Sequence, residues 1–227
     1  MRSNESDFFV KIAHRGASAY EPENTLASFK KAIDMNADLI EFDVRCSQDS
    51  QIVVIHDKKV DRTTDGSGLV GHKTLSELKE LDAGNGEEIP TLDEVLDLFR
   101  GKTRFAIEIK ENGVEDKVVK QIKKHGLEED SFVISFKPNR LKLIKYLEPS
   151  IRTGLISFSS LNFINNALNC GADAVAPFHW FISDNTVRSA RENGLHLFTY
   201  VVNESVKAKE LKDRGVQGIV TNKPDIL

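Results

Sequence analysis

Strand-like and helix-like segments alternate along nearly the whole chain, and that alternation constrains the fold more than any other feature of the sequence. Apolar runs with strand character cover 8–14, 39–44, 52–55, 105–110, 132–135, 152–156, 173–176, 196–202 and 218–221. Helical patterns cover 24–35, 74–81, 91–99, 114–125, 138–147, 161–169, 184–192 and 205–214. Two helices open with T-x-x-E capping boxes, Thr74/Glu77 and Thr91/Glu94, and Pro138 stands in the first turn of another. Nine strands are one too many for an eight-stranded parallel barrel. The surplus has a physical resolution, because only seven residues separate Val44 from Ile52, and a parallel crossover needs a dozen or more. Residues 39–48 and 51–55 are therefore predicted to form an antiparallel β-hairpin turning at Asp49-Ser50, a register that sets His56 opposite Asp43. The other eight strands predict an α/β fold, a (β/α)8 TIM barrel with right-handed crossovers. The 227 residues then form one domain, 1–227, with an insertion at about 46–90 over the C-terminal mouth, where such barrels keep their active sites.

Composition narrows the function. Net charge is −4 and the apolar fraction is 40%, an ordinary globular balance without the basic footprint of a nucleic-acid binder. No apolar run approaches membrane-spanning length, and 1–7 is polar rather than a signal peptide, so no stable membrane insertion is expected. Cys46 and Cys170 lack metal-site spacing, which predicts two free thiols and a cytoplasmic location. The Asn4-Glu5-Ser6 and Asn203-Glu204-Ser205 matches then carry no glycosylation. The oligomeric state, a homodimer included, is left open.

Chemistry-bearing residues gather where strands end. In Ile40-Glu41-Phe42-Asp43-Val44 the two carboxylates share one face of a strand. Ile107-Glu108-Ile109-Lys110 repeats the device with a carboxylate and an ammonium. His14-Arg15-Gly16 closes the first strand and His56-Asp57 the hairpin return, with Gly16 expected to let the backbone approach a ligand. All fall at C-terminal strand ends. Glu41, Asp43 and Glu108 offer only oxygen, the donor set of a hard divalent cation, Mg2+ or Ca2+, with Mn2+ an acceptable substitute. Arg15 and Lys110 suit the remaining oxygens of a phosphoryl group. His14 and His56 suit the acid and the base of a diester displacement near neutral pH. His179-Trp180 is expected in a packed loop rather than at the mouth.

These residues fall in a longer ordered set: Ile12-Ala13-His14-Arg15-Gly16, Pro22-Glu23-Asn24-Thr25, Ala37-Asp38, Glu41-Phe42-Asp43-Val44, Val54-Ile55-His56-Asp57 and Asp61-Arg62-Thr63-Thr64. Ile89-Pro90-Thr91-Leu92, Ile107-Glu108-Ile109-Lys110 and Gly218-Ile219-Val220-Thr221 complete it. The set resembles the glycerophosphodiester phosphodiesterase family, related to phosphatidylinositol phospholipase C barrels, over nearly the whole chain. The resemblance implies a TIM barrel, a Mg2+ or Ca2+ site and hydrolysis of a small-molecule phosphodiester to sn-glycerol 3-phosphate and an alcohol. It implies His14 and His56 as the acid–base pair, Glu41, Asp43 and Glu108 as metal ligands, and Arg15 and Lys110 as phosphate contacts. Three positions depart from the family pattern. Tyr200-Val201-Val202-Asn203 replaces its Trp-Thr-Val-Asn, which makes Tyr200 the substrate-pocket wall. Asn222 stands where an Asp is common. The insertion is short, Leu81-Asp82-Ala83-Gly84 running directly to Glu87-Glu88, which implies a more open mouth. Two other readings compete: a lysophospholipase D acting on lysolipids, suggested by the apolar Pro177-Phe178-His179-Trp180-Phe181-Ile182 run, and a non-catalytic barrel that only binds phosphodiesters.

Overall fold

The computed structural model describes residues 9–159 and 162–226. Phe8, Leu161 and the Asn4-Glu5-Ser6 match lie outside the described residues. In chain order the elements are β1 (Val10–His14), α1 (Leu26–Asp34), β2 (Leu39–Cys46), β3 (Ile52–Val54), α2 (Leu75–Lys79), α3 (Leu92–Phe99) and β4 (Arg104–Ile109). There follow α4 (Glu115–His125), β5 (Ser131–Ser135), α5 (Pro138–Leu147), β6 (Arg152–Ser157), α6 (Phe163–Asn169) and β7 (Ala174–Pro177). The chain closes with α7 (Asp184–Glu192), β8 (His196–Thr199), α8 (Ser205–Arg214) and β9 (Gly218–Thr221).

Eight strands run parallel in the order β1-β9-β8-β7-β6-β5-β4-β2, and β1 pairs with β2 to close the barrel. The expected TIM barrel is the fold. Both predicted capping boxes form, with Thr74 accepting from the Glu77 N–H and Thr91 from the Glu94 N–H. Alternation along the strands divides the side chains. On β2, Ile40, Phe42 and Val44 face the helices and join one core with Phe29 of α1, Leu92 and Phe99 of α3, and Phe105 of β4. Phe42 sits at its centre, 5.5 Å from the Phe29 ring and 6.3 Å from Phe105. A second core seals the opposite side, from Leu155 through Leu197 to Ile219. Inside the barrel, Leu39, Ile12, Ala106 and Val220 form an apolar floor. A separate cluster around Val60, Val70, Leu78 and Ile89 stabilises the insertion on its own.

The surplus strand is antiparallel to β2, as the seven-residue gap requires, but its register is one residue off the expectation. Val44 pairs with Val54 and Cys46 with Ile52. The Ile55 N–H donates to the Asp43 carbonyl at 2.9 Å, so Ile55, not His56, stands across from Asp43. The cause is the turn. Gln48-Asp49-Ser50 forms a three-residue loop with Ser50 at φ +70°, the Ser50 N–H donating to the Ser47 carbonyl and the Ser47 N–H to the Gln51 carbonyl. The Ser47 hydroxyl locks it, donating to Asp49 and accepting from the Gln51 N–H. Three-residue hairpin loops of this kind place a left-handed residue third. One later barrel strand also ends early. β8 stops at Thr199 rather than 202; beyond it Tyr200 keeps a parallel bridge to Phe178, the His179 N–H donating to the Tyr200 carbonyl.

Candidate active site

Two adjacent strands, β2 and β4, deliver the acidic cluster, and β1 sets His14 beside it. In the ladders, His14 is level with Glu41 and Asp43 is level with Glu108. The inward alternation of β2 and β4 carries all three carboxylates into the barrel above the apolar floor, each more than nine-tenths buried. One oxygen from each lies within 4.8 Å of the others. An all-oxygen trio this close fits one hard cation and does not suit zinc.

Two cations already press on the cluster. Lys110 Nζ stands 2.8 Å from Glu108 Oε1 and 3.2 Å from Asp43 Oδ1. Arg15 Nε lies 3.2 Å from Asp43 Oδ2, an ion pair without hydrogen-bond alignment. The Arg15 backbone N–H donates to Glu41 Oε2 at 2.9 Å. Asn24 Nδ2 donates to Asp43 Oδ2 at 3.0 Å and fixes that carboxylate from the side. Three negative groups against two positive ones leave an excess of one. The protonation tendencies follow. Burial alone would raise Asp43, but Lys110 and then Arg15 outweigh it and hold the carboxyl below its usual range. Burial, with Asp43 beside it, pushes Glu108 up to about 7. Burial, with Asp43 and Glu108 nearby, raises Glu41 well above the usual range.

Gly16 explains how Arg15 comes to bear. It has φ +80°, and a Cβ there would lie 2.3 Å from the Ser28 hydroxyl. The chain leaving β1 therefore presses against α1. The close approach that Gly16 permits in this structure is to Ser28. Arg15, itself at φ +55°, then turns its N–H to Glu41 and its guanidinium to Asp43 and Glu23.

The two imidazoles are held differently. His14 Nδ1 is 2.7 Å from Asn222 Oδ1, and burial, helped by the Arg15 charge, lowers its pKa to about 4. His56 Nδ1 is 2.5 Å from Asp57 Oδ1. Burial lowers the His56 pKa too, against the pull of Asp43 and Asp57. Arg62 grips Asp57 and Glu23 together, joining the insertion to the loop after β1. Although its register differs, His56 lines the same cavity as His14, Glu41, Glu108 and Lys110. Its carbonyl is pinned by Arg45 Nε at 2.8 Å, and Arg45 in turn pairs with Glu111. Tyr200 stands on the far wall and donates its hydroxyl to the Ser157 carbonyl. Burial, with Glu108 beside it, raises the Tyr200 pKa.

Several participants escaped the sequence reading. Arg45 follows Asp43 by two on the same face, which was a signal for it. Asn24 and Arg62 sit inside quoted motifs but had no assigned task. Phe136, Phe158 and Phe178 each follow directly on the end of a strand, a pattern visible only once strand ends are known. Trp180 contradicts the packed-loop expectation: it lies on a short 3-10 turn and is 77% exposed, with the flanking His179 ring 5.3 Å from its own.

Comparison with known proteins agrees with this geometry. Residues 14–226 match the model of the glycerophosphoryl diester phosphodiesterase family. The chain is 40% identical over 230 residues to a glycerophosphodiester phosphodiesterase of Caldanaerobacter subterraneus subsp. tengcongensis, with 95% of each covered. The fold superposes with a TM-score of 0.88 on a glycerophosphodiester phosphodiesterase of Agrobacterium tumefaciens, at 29% identity, covering 96% of this chain and 98% of that one. An Oleispira antarctica phosphodiesterase, solved in complex with the product sn-glycerol-3-phosphate, superposes with a TM-score of 0.90 at 29% identity, covering 96% and 94%. The chain belongs to the glycerophosphoryl diester phosphodiesterase family.

Proposed function

We propose that this phosphodiesterase hydrolyses glycerophosphodiesters to sn-glycerol 3-phosphate and an alcohol, with Glu41, Asp43 and Glu108 holding one Mg2+ or Ca2+ ion. The observation that carries the reading is a buried three-carboxylate cluster flanked by two cations and two imidazoles at one end of a single cavity. When bound, the cation polarises the phosphoryl group and offsets charge on its non-bridging oxygens. Lys110 and Arg15 neutralise the remaining oxygens and orient the diester. Tyr200 closes the opposite wall.

The imidazoles divide the proton work. His14 faces a neutral amide through Nδ1 and has a low pKa, so its Nε2 is free to take a proton from the attacking oxygen. His56 backs onto Asp57, which favours its imidazolium, and it gives a proton to the departing alcohol. Over the whole reaction, water adds its oxygen to phosphorus, the bond from phosphorus to the alcohol oxygen breaks, and the proton leaves with the alcohol. The free thiols of Cys46 and Cys170 support a cytoplasmic location. Among the described residues no helix is long and apolar enough to cross a membrane.

The test is a coupled assay for glycerol 3-phosphate released from glycerophosphocholine, with and without EDTA. Turnover should vanish with EDTA and return with Mg2+ or Ca2+. Full activity in the chelator would defeat the metal assignment. Substrate binding without turnover, equal in wild type and a His14→Ala, His56→Ala double variant, would leave only a binding barrel.

A further inference from the structure

In a barrel of this class, inward-facing side chains from alternate strands stand in layers, because the level shifts by about one residue from each strand to the next. The ladders from β1 through β4 and β6 to β8 accordingly set Val10, Arg104, Arg152 and His196 in one layer. Each is the first residue of its strand, so the layer lies at the N-terminal end of the barrel, away from the catalytic mouth. Such layers ordinarily hold bulky branched residues, yet here two guanidinium groups and an imidazole take three of the four places. All three line the cavity that also reaches His14 and Glu108. Arg104 and Glu108 stand at opposite ends of β4, separated by about 13 Å of extended strand.

The positive groups of this layer are not neutralised. Among the described residues neither Arg104 nor Arg152 has a carboxylate within ion-pair distance, and the Arg104 side chain makes no hydrogen bond. Two carboxylates that directly precede neighbouring strands are engaged elsewhere. Asp38 accepts from the Lys11 N–H, and Asp173 accepts from the Thr153 N–H and pairs with Lys145. Arg152 and His196 are held by rings instead. The Arg152 guanidinium lies over Phe132, 5.0 Å from the ring centroid, and donates one N–H to the Glu129 carbonyl at 2.8 Å. Phe132 meets Phe198 edge-on at 6.2 Å, and Phe198 stacks on His196 at 6.3 Å. These contacts orient the Arg152 and His196 side chains and leave most of their donors unused. His196 is exposed, so the layer opens to solvent.

A guanidinium fork matches the oxygens of a carboxylate or a phosphate. One fork satisfies a carboxylate, whereas two forks and an imidazole around one opening suit a doubly charged tetrahedral oxyanion. We propose that Arg104, Arg152 and His196 form a phosphate-binding site at the N-terminal end of the barrel, separate from the carboxylate cluster. Its ligand is inorganic phosphate or the phosphoryl end of a small phosphomonoester, held across the layer between the two guanidinium groups.

Phosphate also suits Arg15 and Lys110, so the experiment tells the two ends apart. The full chain is titrated calorimetrically with inorganic phosphate, glycerol 3-phosphate and acetate, with Mg2+ and again in EDTA, at mildly alkaline pH where phosphate is a dianion. Phosphate binding that survives both EDTA and Lys110→Gln, and that weakens at least about tenfold in Arg104→Gln, is the expected result. Arg104 has no partner to lose, so Arg104→Gln should keep the wild-type unfolding temperature. Glycerol 3-phosphate binding equal to or tighter than phosphate supports a site for phosphomonoesters, and phosphate binding alone supports one for the free ion. Loss of all phosphate binding in Lys110→Gln, unchanged binding in Arg104→Gln, or acetate bound as tightly as phosphate overturns the proposal. Selenate soaked into wild-type crystals gives a test that needs no variant. An anomalous peak in contact with Arg104 and Arg152 is expected, and a peak only at Arg15 and Lys110 overturns it.

Discussion

Binding of a divalent cation at Glu41, Asp43 and Glu108 should expel a proton, and the charge count says how many. Three carboxylates lie within 4.8 Å of one another against two cations, Arg15 and Lys110, so the metal-free cluster stays neutral by keeping one proton. Glu108, pushed up to about 7 by burial and by Asp43, is a site for it, shared with Glu41. A carboxyl with that pKa is protonated in roughly nine molecules of ten at about pH 6. The cation must displace that proton, so its affinity should climb about tenfold per pH unit between about pH 5 and 7 and level off above.

Thermal stability is the wrong readout for this effect. The raised pKa of Glu108 gives the metal-free fold stability that is full below about pH 4.5 and is lost as pH rises through about 7, on the order of 3 kcal/mol. The lowered pKa of His14 does the reverse: its contribution is present above about pH 6.5 and is lost as pH falls through about 4, by a similar amount. The two oppose each other in the same window. Calorimetric titration with Mg2+ or Ca2+ in buffers of different ionisation heat counts protons directly. About one proton should be released per cation at about pH 6, and fewer at about pH 8. Binding with no proton release at either pH would refute the charge count.

Four further outcomes follow from the geometry. His14→Ala and His56→Ala should each lower kcat roughly 10²- to 10⁴-fold in a glycerol 3-phosphate assay, with circular dichroism unchanged. Asn222→Asp places a carboxylate on His14 Nδ1, 2.7 Å away, and should move the acid limb of the kcat/KM profile to higher pH. Gly16→Ala forces a Cβ to within 2.3 Å of Ser28 at φ +80° and should destabilise the fold by more than about 1 kcal/mol in urea titration. Phe42→Ala empties a fully buried site between Phe29 and Phe105 and should cost about 3–5 kcal/mol.

How legible the sequence was depended on the range of the interaction. The barrel was readable because each strand and helix announces itself locally, through periodicity and caps such as Thr91/Glu94, and because the gap between Val44 and Ile52 excludes a crossover. The carboxylate cluster was readable from the same alternation: Glu41 and Asp43 must share a face, and parallel pairing brings Glu108 level with Asp43. The hairpin register was not, since it turns on the Ser47 hydroxyl and the left-handed Ser50, a local choice that Asp49-Ser50 does not advertise. Neither was the Asn222 contact to His14, which spans 208 residues, nor the basic layer of Arg104, Arg152 and His196, whose members are dispersed along the chain and come level only when the barrel closes.

The measurement that bears most directly on the carboxylate centre is anomalous diffraction from crystals soaked in Mn2+ and sn-glycerol 3-phosphate. One manganese peak, within about 2.3 Å of oxygens from Glu41, Asp43 and Glu108 and touching the phosphate, is the expected result. A peak elsewhere, or phosphate bound at Arg15 and Lys110 with no metal beside it, would contradict it.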